Sequence, residues 1–244
     1  LISKVLGEEN GQRLVIIGGE SVFIYNISNT KEPEAVLNNL HEARIIDAVM
    51  LGQKLITVNA DGGLKFLDIS NVNTKIESFS LSRNVKAICR YKEDCILVAT
   101  NQREVVVWDV KNKSEVKTLA EVKSDITCVD YDFQSGKIVI GCSNGSFYLL
   151  NDNQLQEFTG HTAAITSIAI SPHAGLLATG SFDSKVLFWN LASNSNTPIE
   201  FGMHRSFVHS VDLNSKVLVT AGKDRKVFVT NLDQHKIYNN LKLR

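Results

Sequence analysis

The sequence predicts an all-β protein made of six repeated units, each a small sheet of four short strands. Short apolar runs separated by polar turn clusters recur along all 244 residues, and no stretch has the spacing of an amphipathic helix. The runs repeat with a nearly constant period. Many of them are apolar at consecutive positions, which indicates strands that are covered on both faces.

The period is defined by an acid or amide that closes one apolar run in every unit. This closing residue recurs at intervals of 39 to 42 residues, at Asn26, Asp68, Asp109, Asn151, Asn190 and Asn231. A repeat of about 40 residues is the length of one four-stranded unit in proteins that stack sheet against sheet. The period therefore predicts four strands in each unit.

A second column of residues has the same register. Seven positions before each closing residue lies a turn between two apolar runs, at Gly19, Asp61, Gln102, Asn144, Asp183 and Asp224. Gly, Asn and Asp tolerate the positive φ angles of tight hairpins, and five of these six residues are of those types. The same strand order is therefore expected in all six units.

The continuous apolar runs favour a propeller over an open sandwich. Residues 105–108 and 186–189 are apolar throughout, whereas a sandwich strand with one wet face alternates apolar and polar residues. In a propeller, neighbouring blades cover both faces of each sheet. We expect a single domain over 1–244, either six-bladed or six of seven blades. Its blades are expected at about 1–39, 40–80, 81–120, 121–159, 160–201 and 202–244.

Residues 160–190 resemble a WD repeat. The likeness lies in the Gly160-His161 start, the Phe182-Asp183 turn and the closing Trp189-Asn190, where the family most often has Trp-Asp. The resemblance implies a WD-repeat β-propeller. It also implies a buried hydrogen-bonded set in the fifth unit, formed by His161, Ser181, Asp183 and Trp189.

Two other units retain part of this set. The second unit has His41 and Asp61 but Leu67 in place of the tryptophan. The sixth has His204 and Asp224, with Gly222 and Thr230 at the serine and tryptophan positions. The remaining three units lack the histidine, so we expect all units except the fifth to depend mainly on apolar packing.

Composition limits the classes of partner. Lys and Arg together number 26, equal to Asp and Glu, so the formal net charge is zero. Nucleic-acid binding usually needs a basic excess or stripe, so no nucleic-acid partner is expected. No run is long and apolar enough to span a membrane, and no signal peptide is visible.

The cysteines and the first residue bear on the cellular context. The four cysteines have no C-x-x-C spacing, and each lies in an apolar segment, at Cys89, Cys95, Cys128 and Cys142. Buried reduced thiols favour an intracellular protein, most simply a cytoplasmic one. The chain begins at Leu1 inside an apolar run, and we expect it to be part of a longer polypeptide.

No catalytic residue, cofactor or metal site is predicted. The segment Gly141–Gly145 matches the G-x-S-x-G nucleophile motif, but that motif needs a strand-to-helix turn, and Asn144-Gly145 is instead typical of a hairpin. His41, His161 and His204 belong to different units, each followed by its own turn aspartate, so internal hydrogen bonds explain them better than a metal does. No small-molecule substrate is expected.

The candidate binding residues lie in loops that gather on one rim of a propeller. Phe182 and Lys223 each precede a turn aspartate, and loop neighbours on the same rim are Arg44, Lys123, Met203 and Arg205. Aromatic, Met and Arg side chains are frequent in interface hot spots. Phe207 is left open, either as a rim residue or as the start of a buried strand.

The sequence therefore predicts a non-catalytic scaffold or recognition module that holds a protein or peptide partner. It would act within a larger assembly or multidomain protein. The alternative is a sensor or regulatory propeller of a multidomain signalling enzyme, such as a bacterial NTPase.

Overall fold

The computed structural model describes residues 2–8, 10–71, 75–171, 175–191, 197–201, 204–233 and 236–242. These residues contain 24 strands and no helix. The strands form six four-stranded sheets in which consecutive strands are hydrogen-bonded neighbours. The predicted all-β fold with six four-stranded units is therefore confirmed.

The chain divides into two compact units, Leu1–Lys117 and Thr118–Arg244. The first unit begins with the first sheet, β1 (Ile2–Gly7), β2 (Arg13–Gly18), β3 (Ser21–Asn26) and β4 (Ala35–Leu37). The second sheet comprises β5 (Ile45–Leu51), β6 (Lys54–Asn59), β7 (Gly63–Asp68) and β8 (Glu77–Ser80). The third comprises β9 (Val85–Arg90), β10 (Cys95–Thr100), β11 (Glu104–Asp109) and β12 (Ser114–Glu121), and the unit boundary falls inside β12.

The second compact unit, Thr118–Arg244, contains the other three sheets. The fourth sheet comprises β13 (Ile126–Tyr131), β14 (Ile138–Cys142), β15 (Ser146–Asn151) and β16 (Gln154–Thr159). The fifth comprises β17 (Ile165–Ile170), β18 (Leu176–Ser181), β19 (Val186–Asn190) and β20 (Ile199–Phe201). The sixth comprises β21 (Val208–Leu213), β22 (Val217–Gly222), β23 (Lys226–Asn231) and β24 (Lys236–Lys242).

Each of the two compact units has apolar cores on both faces of its middle sheet. In the first unit, Leu55 of β6 packs in a cluster with residues of the first sheet, while the next residue, Ile56, packs in a cluster with residues of the third. In the second unit, Leu177 packs with the fourth sheet and Ala178 with the sixth. Successive side chains of a strand point to opposite faces, so runs of consecutive apolar residues are what these doubly covered sheets require.

Polar side chains on the first strands also connect neighbouring sheets within each unit. Asp47 Oδ2 accepts a hydrogen bond from the Ile88 N–H at 2.8 Å, and Ser167 Oγ accepts one from the Val211 N–H at 3.1 Å. The strand register shifts at Asp47 and at Ser167, as in a β-bulge. A bulge redirects a side chain out of the regular pleat, which accounts for their reach toward the next sheet.

Candidate functional site

The fifth sheet contains a buried hydrogen-bonded set of side chains. His161 lies just before β17, and its Nδ1 is 2.9 Å from Asp183 Oδ2 in the turn after β18. Its Nε2 is 2.8 Å from Thr179 Oγ1. The indole N–H of Trp189, from β19, donates to the same hydroxyl at 3.1 Å. These contacts bring the loop, the turn and two strands together in one network.

The hydroxyl in this network belongs to Thr179, whereas Ser181 was expected to supply it. Nδ1 of His161 faces Asp183, and the other ring nitrogen contacts Thr179, two positions before Ser181 in β18. Ser181 lies next to the turn, where its hydroxyl donates to the Ala163 carbonyl at 3.0 Å and accepts from the Asp183 N–H at 3.1 Å. Ser181 therefore holds the turn and does not contact the imidazole.

The sixth sheet repeats the histidine–threonine contact without a tryptophan. His204 Nδ1 is 3.0 Å from Asp224 Oδ1, and Nε2 is 2.9 Å from Thr220 Oγ1. A Cβ atom on Gly222 would lie 2.4 Å from His204 Nδ1. Glycine at this position therefore makes room for the imidazole.

The second sheet retains only half of the contact. His41 Nε2 is 2.8 Å from Thr57 Oγ1, while Asp61 is exposed. Thr57 occupies the position of Thr179, and sequence reasoning did not single it out. The sequence pattern that could have identified it is a threonine four residues before each turn aspartate in the three histidine-containing repeats.

Burial controls the charge of the His41 and His161 imidazoles. Burial, together with the nearby Lys65 charge, lowers the pKa of His41 to about 4. Burial also lowers the pKa of His161, although the Asp183 carboxylate opposes this. Burial raises the pKa of Asp183, but N–H donors from Thr162 and Lys185 together with His161 outweigh it, so the net pKa lies below its ordinary value. The aspartate is therefore charged and the imidazole neutral at pH 7.

The arrangement has little capacity for acid–base or nucleophilic chemistry. Both nitrogens of His161 and of His204 are already hydrogen-bonded inside the sheet. Burial raises the pKa of the Cys128 and Cys142 thiols to about 12, so neither is a thiolate near neutral pH. Among the residues that the structure describes, no group of three His, Cys, Asp or Glu side chains could hold a metal ion.

The G-x-S-x-G segment forms a strand-to-strand hairpin. β14 ends at Cys142 and β15 begins at Ser146. Asn144 Oδ1 accepts hydrogen bonds from the N–H and hydroxyl of Ser146, and Gly145 has a φ of +85°. This geometry is that of a tight turn and differs from a nucleophile elbow, which leads into a helix.

The exposed candidate binding residues include one aromatic and cationic patch in the second compact unit. Phe182 and Phe207 are 46% and 40% exposed, and their ring centroids are 5.1 Å apart in an edge-to-face arrangement. Lys223 Nζ lies 5.1 Å from the Phe207 centroid, and the Lys223 N–H donates to the Phe207 carbonyl at 2.8 Å. We call Phe182, Phe207 and Lys223 the Phe182 patch. Phe207 precedes β21 and is exposed, which answers the question left open by its sequence.

Beside this patch, the acidic side chains are buried and the basic side chains are exposed. The side chains of Asp183 and Asp224 are only 6% and 8% exposed, and both contact buried histidines. Arg205 is exposed, and its backbone N–H donates to Asp224 Oδ2 at 3.0 Å, which places it next to the turn that carries Lys223. The solvent-facing charges at the patch are therefore cationic.

The remaining candidate binding residues lie in other loops or outside the described residues. Lys123 is exposed in the loop before β13, in the second unit. Arg44 is exposed just before β5, in the first unit. Met203 lies outside the described residues. In the described part of the chain, no helix is long and apolar enough to cross a membrane.

Comparison with known proteins identifies relatives of this chain. The family model described as WD domain, G-beta repeat matches residues 152–190. Actin-interacting protein 1 of Caenorhabditis elegans is 28% identical over 200 residues, covering 72% of this chain and 32% of that protein. The 66 kDa stress protein of Physarum polycephalum is 23% identical over 201 residues, covering 80% and 33%.

A third relative and a solved structure extend this likeness. The human DDB1- and CUL4-associated factor 10 is 26% identical over 149 residues, covering 57% of this chain and 26% of that protein. The chain thus spans about a third or less of the length of these relatives. The crystal structure of RRP9 WD40 repeats matches with a TM-score of 0.84 and 15% identity, covering 99% of this chain and 81% of that one.

Proposed function

Because this chain is a WD-repeat β-propeller protein, we propose that it is a protein-interaction module that holds a peptide segment of a partner at the Phe182 patch. The segment carries an apolar side chain that packs on the two rings and an acidic residue that faces Lys223 and Arg205. The module acts as a non-catalytic scaffold within a larger assembly or multidomain protein.

The observation that carries this proposal is the pair of half-exposed phenylalanine rings. Both rings lie in short loop segments, Phe182 between β18 and β19 and Phe207 before β21. Exposed paired aromatic rings lose apolar contact with water when a partner covers them. The backbone beneath them is fixed, since the Phe182 N–H donates to the Ala164 carbonyl at 3.0 Å. A preorganised aromatic anchor next to a cation is typical of interface hot spots.

The relatives support the same class of function. The names of two relatives describe protein association, with actin in one and with DDB1 and CUL4 in the other. This chain spans a minor part of each, so neither partner is assigned to it.

The test is selection of binding peptides from a phage-displayed random library by the immobilised protein. We expect enrichment of peptides that combine an aromatic or leucyl residue with Asp or Glu. The double variant Phe182→Ala, Lys223→Glu should bind these peptides more than about tenfold more weakly, because it removes a hot-spot ring and reverses the charge. Its melting temperature should remain close to that of the wild type, because both side chains are exposed.

A matched double variant, Phe133→Ala with Lys216→Glu, is the control. Phe133 is 48% exposed between β13 and β14, and Lys216 is exposed at the opposite end of β22 from Lys223. This control should retain full binding. Equal binding by the two double variants would show that the Phe182 patch does not hold the peptide.

A further inference from the structure

The third sheet retains the buried tryptophan but not its partners. In β11, Trp108 pairs with Ile96, and Val98 lies two residues further along β10. Trp189 and Thr179 have the same relation in the fifth sheet, where Trp189 pairs with Leu177. A valine therefore occupies the position whose hydroxyl accepts the indole hydrogen bond in the fifth sheet.

This replacement leaves the indole N–H of Trp108 without an acceptor. Trp108 is 8% exposed, and its Nε1 is buried with no hydrogen-bond partner in the described protein. A buried donor without a partner costs about 1–3 kcal/mol. Such groups are rare in native proteins and are a reason to look for a bound molecule.

A cavity of about 190 Å³ lies beside this indole. Leu81, Val98, Val106 and Trp108 form its apolar wall. Leu81 stands in the loop before β9, the location at which the fifth sheet has His161 before β17. A cavity of about 150 Å³ in another protein holds a benzene molecule, so this one is large enough for a ligand of five or six non-hydrogen atoms.

The solvent side of the cavity carries a neutralised cation. Arg83 and Glu115 both line the cavity and are partly exposed, and their side chains form an ion pair at 3.2 Å. Arg83 also pairs with Glu104. One guanidinium faces two carboxylates, so the local charge disfavours an anionic ligand.

We propose that this cavity is a binding site for a primary carboxamide, the group at the end of a glutamine or asparagine side chain. The amide carbonyl accepts the hydrogen bond of the Trp108 indole, and the short aliphatic stem packs on Leu81 and Val106. The amide NH₂ faces the polar side of the cavity, where the Thr100 hydroxyl and the Glu115 carboxylate are acceptors. A carboxylate of the same shape lacks these donors and adds a repelled charge.

The chain offers a direct probe because it contains two tryptophans. In a ¹H–¹⁵N correlation spectrum, each gives one indole signal, and Trp108→Phe assigns them. Titration with propionamide should move the Trp108 indole proton downfield in a saturable way. The Trp189 signal, whose N–H is already bonded to Thr179, should remain unchanged. Propionate, the anionic isostere, should produce a weaker response.

The variant Val98→Thr tests whether the free N–H is the cause. Threonine has nearly the shape of valine and places a hydroxyl where the fifth sheet has that of Thr179. Its Trp108 signal should lie downfield before any ligand is added, and propionamide should no longer shift it. An unchanged propionamide response in this variant would contradict the proposed hydrogen bond.

One peptide arm and the propionamide arm distinguish a protein side chain from a free small molecule. A short peptide with glutamine between two lysines should saturate the Trp108 shift at a lower concentration than propionamide if the site recognises a protein side chain, since the lysines face Glu104 and Glu115. A response to propionamide alone would assign the cavity to free amides. No Trp108 shift with any probe would mean that the cavity holds water only and would overturn the proposal. Neither result depends on the Phe182 patch, because none of its residues lines the cavity.

Discussion

At the residue scale, the Asp183 carboxylate fixes the tautomer of His161, and the Thr179 hydroxyl adapts to it. The Asp183 carboxylate can only accept, so His161 Nδ1 carries the proton and Nε2 accepts from Thr179. The hydroxyl oxygen then accepts from the Trp189 indole. One hydroxyl thus donates once and accepts once, and removing it leaves an imidazole nitrogen and an indole N–H without partners in a buried site.

Thr179→Val should therefore lower the free energy of unfolding by about 1–3 kcal/mol, the cost of unpaired buried polar groups. Valine keeps the volume and shape of threonine, so the loss is not one of packing. Thr179→Ser, which keeps the hydroxyl and removes a methyl group, should lose less. Urea denaturation followed by circular dichroism measures both variants. A Thr179→Val protein as stable as the wild type would contradict the role assigned to this hydroxyl.

The positions of His161, Asp183 and Trp189 in this set followed from the family resemblance, but the hydroxyl partner did not. Ser181 and Thr179 lie on the same face of β18, two residues apart, and both are fully buried. Sequence spacing could not separate them, because the choice depends on the direction of the imidazole ring. For the exposed pair, the sequence predicted Phe182 as a rim residue but left Phe207 open. Ring contacts between loops of different sheets are set by three-dimensional packing, which sequence spacing does not give.

At the scale of the element, the bulges in the first strands have a structural use. Ser167 lies where the register of β17 shifts, and it both accepts from the Val211 N–H and donates to the Val211 carbonyl at 3.3 Å. Thr166, its neighbour, donates to the Val208 carbonyl at 2.7 Å. These side chains satisfy main-chain groups of β21, which lies at the edge of the sixth sheet.

Ser167→Ala should destabilise the protein by about 1–3 kcal/mol, because the buried Val211 N–H loses its acceptor. Hydrogen exchange of the Val211 amide should accelerate more than that of other amides in the sixth sheet. Ser210→Ala is the matched control: Ser210 lies at the register shift of β21 and is exposed. Equal effects of the two substitutions would rule out the inter-sheet hydrogen bond as the cause.

The period predicted strand ends closely. All six closing residues, from Asn26 to Asn231, are the last residues of the third strands of their sheets. These strands have buried apolar residues and begin just after tight turns, so turn chemistry and apolar content agree there. The fourth strands are less visible in the sequence. β4 and β20 have only three residues each, and none of these residues is buried, so little apolar pattern marks them.

At the scale of the whole molecule, the boundary between the two compact units falls at an unusual place in the chain. A domain boundary normally falls in an exposed linker that few contacts cross. Here the boundary between Lys117 and Thr118 divides β12, the strand that completes the third sheet. Separate folding of the first unit would leave that sheet with a shortened fourth strand. On this ground we propose that residues 1–244 form a single domain.

A single domain predicts one cooperative unfolding transition, and the tryptophans can test it because Trp108 lies in the first unit and Trp189 in the second. In Trp108→Phe the remaining fluorescence reports the second unit, and in Trp189→Phe it reports the first. Within each variant, the fluorescence and far-ultraviolet circular dichroism curves in urea should coincide, as for a two-state protein. Comparing probes within one variant cancels any change in stability that the substitution causes. A biphasic dichroism curve, with fluorescence following one phase in each variant, would instead establish two independent domains.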